Sequence, residues 1–101
     1  MNDRFSHIIN SSKPVVVDFY TEWCGPCKQM PPILEEVKKT FKAKVRVVKV
    51  NVDQHPFIAT RYKVRHVPTL MVFKKGRPQW KTEGICKADE LKSVVSGQIN
   101  S

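Results

Sequence analysis

The sequence predicts an α/β domain in which a small mixed sheet is covered by helices. Three observations carry this. Val15-Val16-Val17-Asp18-Phe19-Tyr20 is β-branched, aromatic and almost wholly apolar, the pattern of a strand buried on both faces. Met30, Ile33, Leu34, Val37 and Phe41 then recur at helical spacing. Val45–Val52 is a second apolar strand, so strand, helix and strand make a βαβ unit.

Ahead of that unit, Phe5, Ile8 and Ile9 outline a short amphipathic helix, broken by Asn10-Ser11-Ser12-Lys13-Pro14. Pro31-Pro32 predicts a kink in the long helix, at about 3 kcal/mol or more unless offset, because each proline lacks an amide hydrogen. A break with a new helix starting at Pro31 is the alternative. Asp53 is the expected cap of a short helix begun by Pro56. Thr69–Phe73 reads as the third strand, Lys74–Pro78 as a turn, and Gln79–Glu83 as an antiparallel fourth strand. Leu91, Val94, Val95 and Ile99 place a last helix at Ala88–Gln98. No repeat or linker divides the chain, so residues 1–101 read as one domain.

Composition narrows the function classes. At 41% hydrophobic and 27% charged residues, the chain suits a globular domain and not a disordered one. No apolar run approaches a membrane span, and Met1-Asn2-Asp3-Arg4-Phe5 lacks an apolar leader core. Three cysteines are too few and too odd for a disulfide-stapled secreted scaffold. The expectation is a cytoplasmic monomer with no membrane partner. Eighteen Lys and Arg against nine Asp and Glu leave +9. The basic residues are scattered, densest at Lys38, Lys39, Lys42, Lys44 and Arg46 and at Lys74, Lys75 and Arg77. This reads as a positive surface that attracts acidic protein partners. No aromatic RNA-binding signature, zinc-finger spacing or basic heptad points to nucleic acid.

Trp23-Cys24-Gly25-Pro26-Cys27-Lys28 carries the chemistry. Two intervening residues bring both thiols together at the first turn of the helix, and Pro26 stiffens the ring they close. Unpaired amides and the positive dipole end favour a thiolate, so Cys24 is expected to have a lowered pKa and act as nucleophile. Cys27, one turn inward and less exposed, is expected to resolve the mixed disulfide. A zinc site needs more ligands, and His55, His66 and Cys86 are too dispersed to supply them. Cys86 reads as a packing residue, Met30 as core, and His7 and His55 as surface. His66 also reads as surface, unless it lies close enough to the thiols to tune them.

The stretch at 23–28 matches in full the active-site motif of the thioredoxin family. The likeness continues through Val17-Asp18-Phe19, Pro32-Ile33-Leu34, Lys49, Val52-Asp53, Val67-Pro68-Thr69, Gly76 and Gly84, over residues 5–99. The chain therefore resembles thioredoxins, which implies their fold and a thiol–disulfide oxidoreductase that reduces protein disulfides. The resemblance implies no bound cofactor or metal beyond the redox pair Cys24–Cys27, and an NADPH-dependent flavoprotein reductase as electron donor. It makes Asp18 the proton carrier for Cys27 and Lys49 the residue tuning Asp18. Pro68 becomes a cis-proline beside the disulfide, and Val67 offers its backbone to an extended client. Trp23 packs over the thiols, and Gly25, Pro26 and Gly84 complete the client-binding surface. A scaffold of the same fold whose partner role needs no redox turnover, and a basic nucleic-acid binder, remain rival readings.

The chain departs from the family pattern at its start. Thioredoxins commonly open with a strand, and Met1–Arg4 are too few for one. The expectation is a sheet of four strands, the first of the usual five missing, with Val45–Val52 at an edge. There Arg46 and Lys49 discourage edge pairing, or another chain covers the strand. Tyr20 and His66 stand where the family often has Trp and Gly.

Overall fold

A computed structural model describes residues 4–101. The elements are α1 (Arg4–Ile9), β1 (Val15–Tyr20), α2 (Met30–Phe41), β2 (Arg46–Asn51), α3 (Pro56–Arg61), β3 (Thr69–Lys74), β4 (Arg77–Glu83) and α4 (Ala88–Ile99). Among the described residues, the strands form one mixed sheet in the order β2-β1-β3-β4. β1 runs parallel to β2, while β3 is antiparallel to both β1 and β4. The expectation of no leading strand in Met1-Asn2-Asp3 lies outside the described residues.

β1 organises both layers. Val15, Val17 and Phe19 pack with Phe5, Ile9, Met71 and Phe73 on the α1 and α3 face. Val16 packs with Met30, Leu34, Val37, Leu91 and Val95 beneath α2 and α4. Helices on both faces leave the strand no wet side, which is why it reads as an unbroken apolar run. Asp18 shares the Val16 face by alternation and is 1% exposed.

The proline pair takes the broken form and not the kink. A 3-10 turn at Pro26–Gln29 gives way to α2 at Met30. Pro31 and Pro32 thus fall in the first turn of α2, where proline is tolerated. At the hairpin, Lys75 and Gly76 have φ of 55° and 80°. Two successive left-handed residues close a tight two-residue turn, so β4 begins at Arg77 and not at Gln79.

Asp53 does not cap α3; His55 holds that position without a side-chain cap. Asn51 closes the connection first. Its Oδ1 accepts the Asp53 and Gln54 amides at 2.9 and 3.3 Å, which places Asp53 inside an Asx turn. Part of the basic excess is structural. Lys81 Nζ donates to the Tyr62 and Lys63 carbonyls beyond α3, and Lys74 Nζ to the Gln98 carbonyl in the last turn of α4. Positive charge there meets orphan carbonyls and the negative dipole end.

Candidate active site

Cys24 and Cys27 are joined in a disulfide, their Cα atoms 5.3 Å apart. Cys24 follows the end of β1, and Cys27 lies in the 3-10 turn leading into α2. The expected first helical turn is therefore a 3-10 turn, with the α-helix proper beginning three residues later. Relative exposures of 9% for Cys24 and 7% for Cys27 leave little to separate them as outer and inner sulfurs. Hydrogen bonding separates them better: the Cys27 amide donates to Cys24 Sγ at 3.1 Å. Cys24 Sγ also lies 3.5 Å from the Val67 carbonyl oxygen. In the disulfide that is a contact without a proton; in the dithiol it places an acceptor beside the sulfur.

The loop facing Cys24 is held firmly. The Val67–Pro68 bond is cis. The Pro68 carbonyl accepts the Gly84 amide at 2.8 Å, and Thr69 Oγ1 donates to the His66 carbonyl at 2.6 Å. Gly84 has φ +86°, which disfavours any residue with a Cβ. Space in front of Gly25 is open, since a Cβ there would meet nothing within 4 Å. His66 is a surface residue. Its Nε2 faces Glu83 Oε2 at 3.5 Å, with both side chains exposed.

Asp18 lies on the α2 face of β1, and its Oδ1 has no hydrogen-bond partner. Burial pushes its carboxyl up to about 6, opposed by the positive charge of Lys49. Lys49 is its register partner on β2. The ammonium stands over the Tyr20 ring, 4.9 Å from the centroid, so it acts on Asp18 through its field. Trp23 does not pack over the sulfurs. It is 91% exposed and joins neither core cluster. Cys86 is a core residue, as expected. Its Sγ approaches Glu90 Oε1 at 3.6 Å, and burial followed by the Glu90 charge lifts the thiol to about 11.

Three residues escaped the sequence reading. Asn51 closes the turn after β2, and an Asn at a strand end before the Val52-Asp53-Gln54 turn was the available signal. Ile85, 44% exposed, follows Gly84, whose amide bonds the Pro68 carbonyl, and Phe57, 80% exposed, lies on α3. Nothing in local periodicity marks either as outward. Among the described residues, no group of three or more His, Cys, Asp or Glu is placed to hold a metal, and no helix is long and apolar enough to cross a membrane.

A disulfide between close cysteines at the entrance to a helix, on a sheet of this topology, defines a thiol–disulfide oxidoreductase. The thioredoxin family model matches residues 1–97, and the chain belongs to that family. It is 46% identical over 84 residues to a thioredoxin-like protein from Synechocystis, covering 83% of this chain and 80% of that one. Against thioredoxin from Acidithiobacillus ferridurans it is 40% identical over 99 residues, covering 97% and 92%. A solved mutant thioredoxin from Halobacterium salinarum superposes with a TM-score of 0.87 at 29% identity, covering 98% of this chain and 86% of that one.

Proposed function

We propose that the chain reduces client disulfides by a cycle in which Cys24 attacks, Cys27 resolves and Asp18 carries the proton. In the dithiol state, the Cys27 amide that reaches Cys24 Sγ favours the Cys24 thiolate. That sulfur bonds to one sulfur of a client disulfide. The client's S–S bond breaks, and its other sulfur leaves as a thiolate and takes a proton from water. Asp18 in its carboxylate form accepts the Cys27 proton. Cys27 then bonds to Cys24, and the second client sulfur leaves and is protonated. Two electrons have passed to the client, and the Cys24–Cys27 disulfide remains. A carboxyl lifted to about 6 lies closer to a thiol in proton affinity than an ordinary Asp, which suits this transfer near neutral pH. Lys49 keeps the lift from going further.

Trp23, Gly25, Pro26, Val67, Pro68 and Gly84 are the residues assigned to hold the client. Trp23 offers an exposed aromatic face, and the Val67 backbone offers strand-like hydrogen bonds. The redox group is the disulfide itself, without a bound metal or organic cofactor. The family resemblance supports an NADPH-dependent flavoprotein reductase as the source of electrons, and a cytoplasmic monomer as the working form. The +9 charge supports clients with acidic faces, with encounter rates that fall as salt rises.

The carrying observation is the disulfide whose Cys24 sulfur accepts the Cys27 amide beside the Val67 carbonyl. The test is reduction of insulin by dithiothreitol with catalytic amounts of the chain. The native protein accelerates precipitation of the insulin B chain; Cys24→Ser does not, and Cys27→Ser accumulates a mixed disulfide with the client. Equal rates for native protein and Cys24→Ser refute the reading.

A further inference from the structure

The sheet ends at β2, whose outer edge is unpaired among the described residues. Its hydrogen-bond phase is fixed at both ends. The Arg46 amide donates to the Pro14 carbonyl at 3.0 Å, and the Val52 amide to the Tyr20 carbonyl at 2.9 Å. Even-numbered residues therefore aim their main-chain groups at β1, and Val47, Lys49 and Asn51 aim theirs outward. The Asn51 carbonyl is taken by the Gln54 and His55 amides. Val47 and Lys49 remain, presenting donors and acceptors at strand spacing.

Beside this edge lies a groove of about 450 Å³ between β2, α1 and α3. Ile8, Val48 and Val50 line it, and Phe57 stands at its side 80% exposed. Its charged lining is basic, with Arg4 and Arg61 among it, and no Asp or Glu contributes among the described residues. Arg46 is exposed where β2 begins, directly after the 3-10 turn Lys42–Lys44.

We propose that β2 accepts an added strand from an acidic segment of a partner protein, whose alternate apolar side chains enter the groove beside Phe57. Backbone pairing supplies register, the groove supplies apolar burial, and the basic rim selects the sign of the guest. The rim charges that exclude apolar or basic strands from an open edge admit an acidic one. A second copy is the wrong occupant. Each chain carries +9, and pairing β2 with β2 brings two edges of the same charge sign together.

The experiment uses a capped, fluorescently labelled peptide of about ten residues alternating Val and Glu. Anisotropy gives affinity, and amide NMR of the native chain locates binding. Saturable binding with slowed amide exchange at Val47 and Lys49 is expected. Arg46→Glu and Phe57→Ala each weaken it, and a peptide N-methylated at alternate residues, with its charge intact, binds at least about tenfold more weakly. Any one of four outcomes overturns the proposal: no saturable binding; shifts centred on Cys24 and Val67; equal affinity for the N-methylated or a Val–Lys peptide; or displacement of the peptide by single-stranded DNA at matched charge. A dimer forming through β2 without peptide, seen by sedimentation, overturns it as well.

Discussion

Replacing Asp18 by Asn tests the cost of burying its carboxyl. The carboxyl is 1% exposed, one oxygen lacks a hydrogen-bond partner, and burial raises its pKa from 3.8 to about 6 despite Lys49. A carboxyl whose folded pKa exceeds its unfolded value holds its proton more tightly in the folded chain. Below 3.8 both states are protonated and no penalty exists. Between 3.8 and about 6 the unfolded chain ionises first, and stability falls; above about 6 the loss is complete. At ~1.4 kcal/mol per tenfold in proton affinity, the difference comes to about 3 kcal/mol. Asn is nearly isosteric and does not ionise. Guanidinium chloride unfolding of both oxidised proteins at constant ionic strength should find them within about 1 kcal/mol near pH 4, with the Asp18→Asn variant ahead by about 3 kcal/mol near pH 7.5. The stabilised variant should also reduce insulin more slowly near neutral pH, because Cys27 has lost its proton acceptor. Stability curves that stay parallel across the range, or a native protein that is the more stable near pH 7.5, would refute the reasoning.

Lys49→Met removes the charge that opposes the burial effect, so Asp18 should titrate above its native value, seen as a higher-pH inflection of its carboxyl carbon by NMR. Cys86→Ala deletes a sulfur that is 2% exposed and should lower stability by about 1 kcal/mol by chemical denaturation. In the folded native protein the same thiol, raised to about 11, should resist iodoacetamide near neutral pH and react only on unfolding. Gly76→Ala should cost about 1 kcal/mol in thermal unfolding. Its φ is +80°, and the added Cβ meets Asn10 only at 3.7 Å, so the cost arises from the backbone.

What was legible in the sequence was what depends on side-chain type along the chain. β1 is recognisable because burial on two faces needs apolar residues without alternation, and Asp18 is conspicuous because it interrupts that run. The paired cysteines are recognisable because their function fixes their spacing. Less legible was what depends on competition for main-chain groups. Asp53 and Asn51 are both good capping residues, and only the path of the chain gives the turn to Asn51. Pro31-Pro32 permits a kink or a break; the 3-10 turn decides for a change of helix type that leaves both prolines in the first turn of α2. Trp23 and Phe57 are aromatic, and composition alone sends aromatics inward. Their exposure follows from where the loop after β1 and α3 leave the two cores.

The placement of Asp18 also gives the proposed proton carrier a physical reason to lie on β1. Burial raises the Asp18 pKa by excluding water, and exclusion on that scale destabilises the fold by about 3 kcal/mol once the carboxyl ionises. The strand holding it must offset that loss locally or it would fray at the site. Val15, Val16, Val17 and Phe19 are each 0% exposed, and each contributes about 1.5–3 kcal/mol of burial. No outer strand is buried to this degree: β2 exposes Arg46 and Lys49, and most of β4 is solvated. A slip of one residue in β1 would turn Asp18 from the α2 face onto the Phe5, Phe73 and Met71 cluster, away from the helix that follows the cysteines. The alternation that builds two cores therefore also fixes the side on which the carboxyl lies. The neighbour in register across β2 fixes the charge that moderates it.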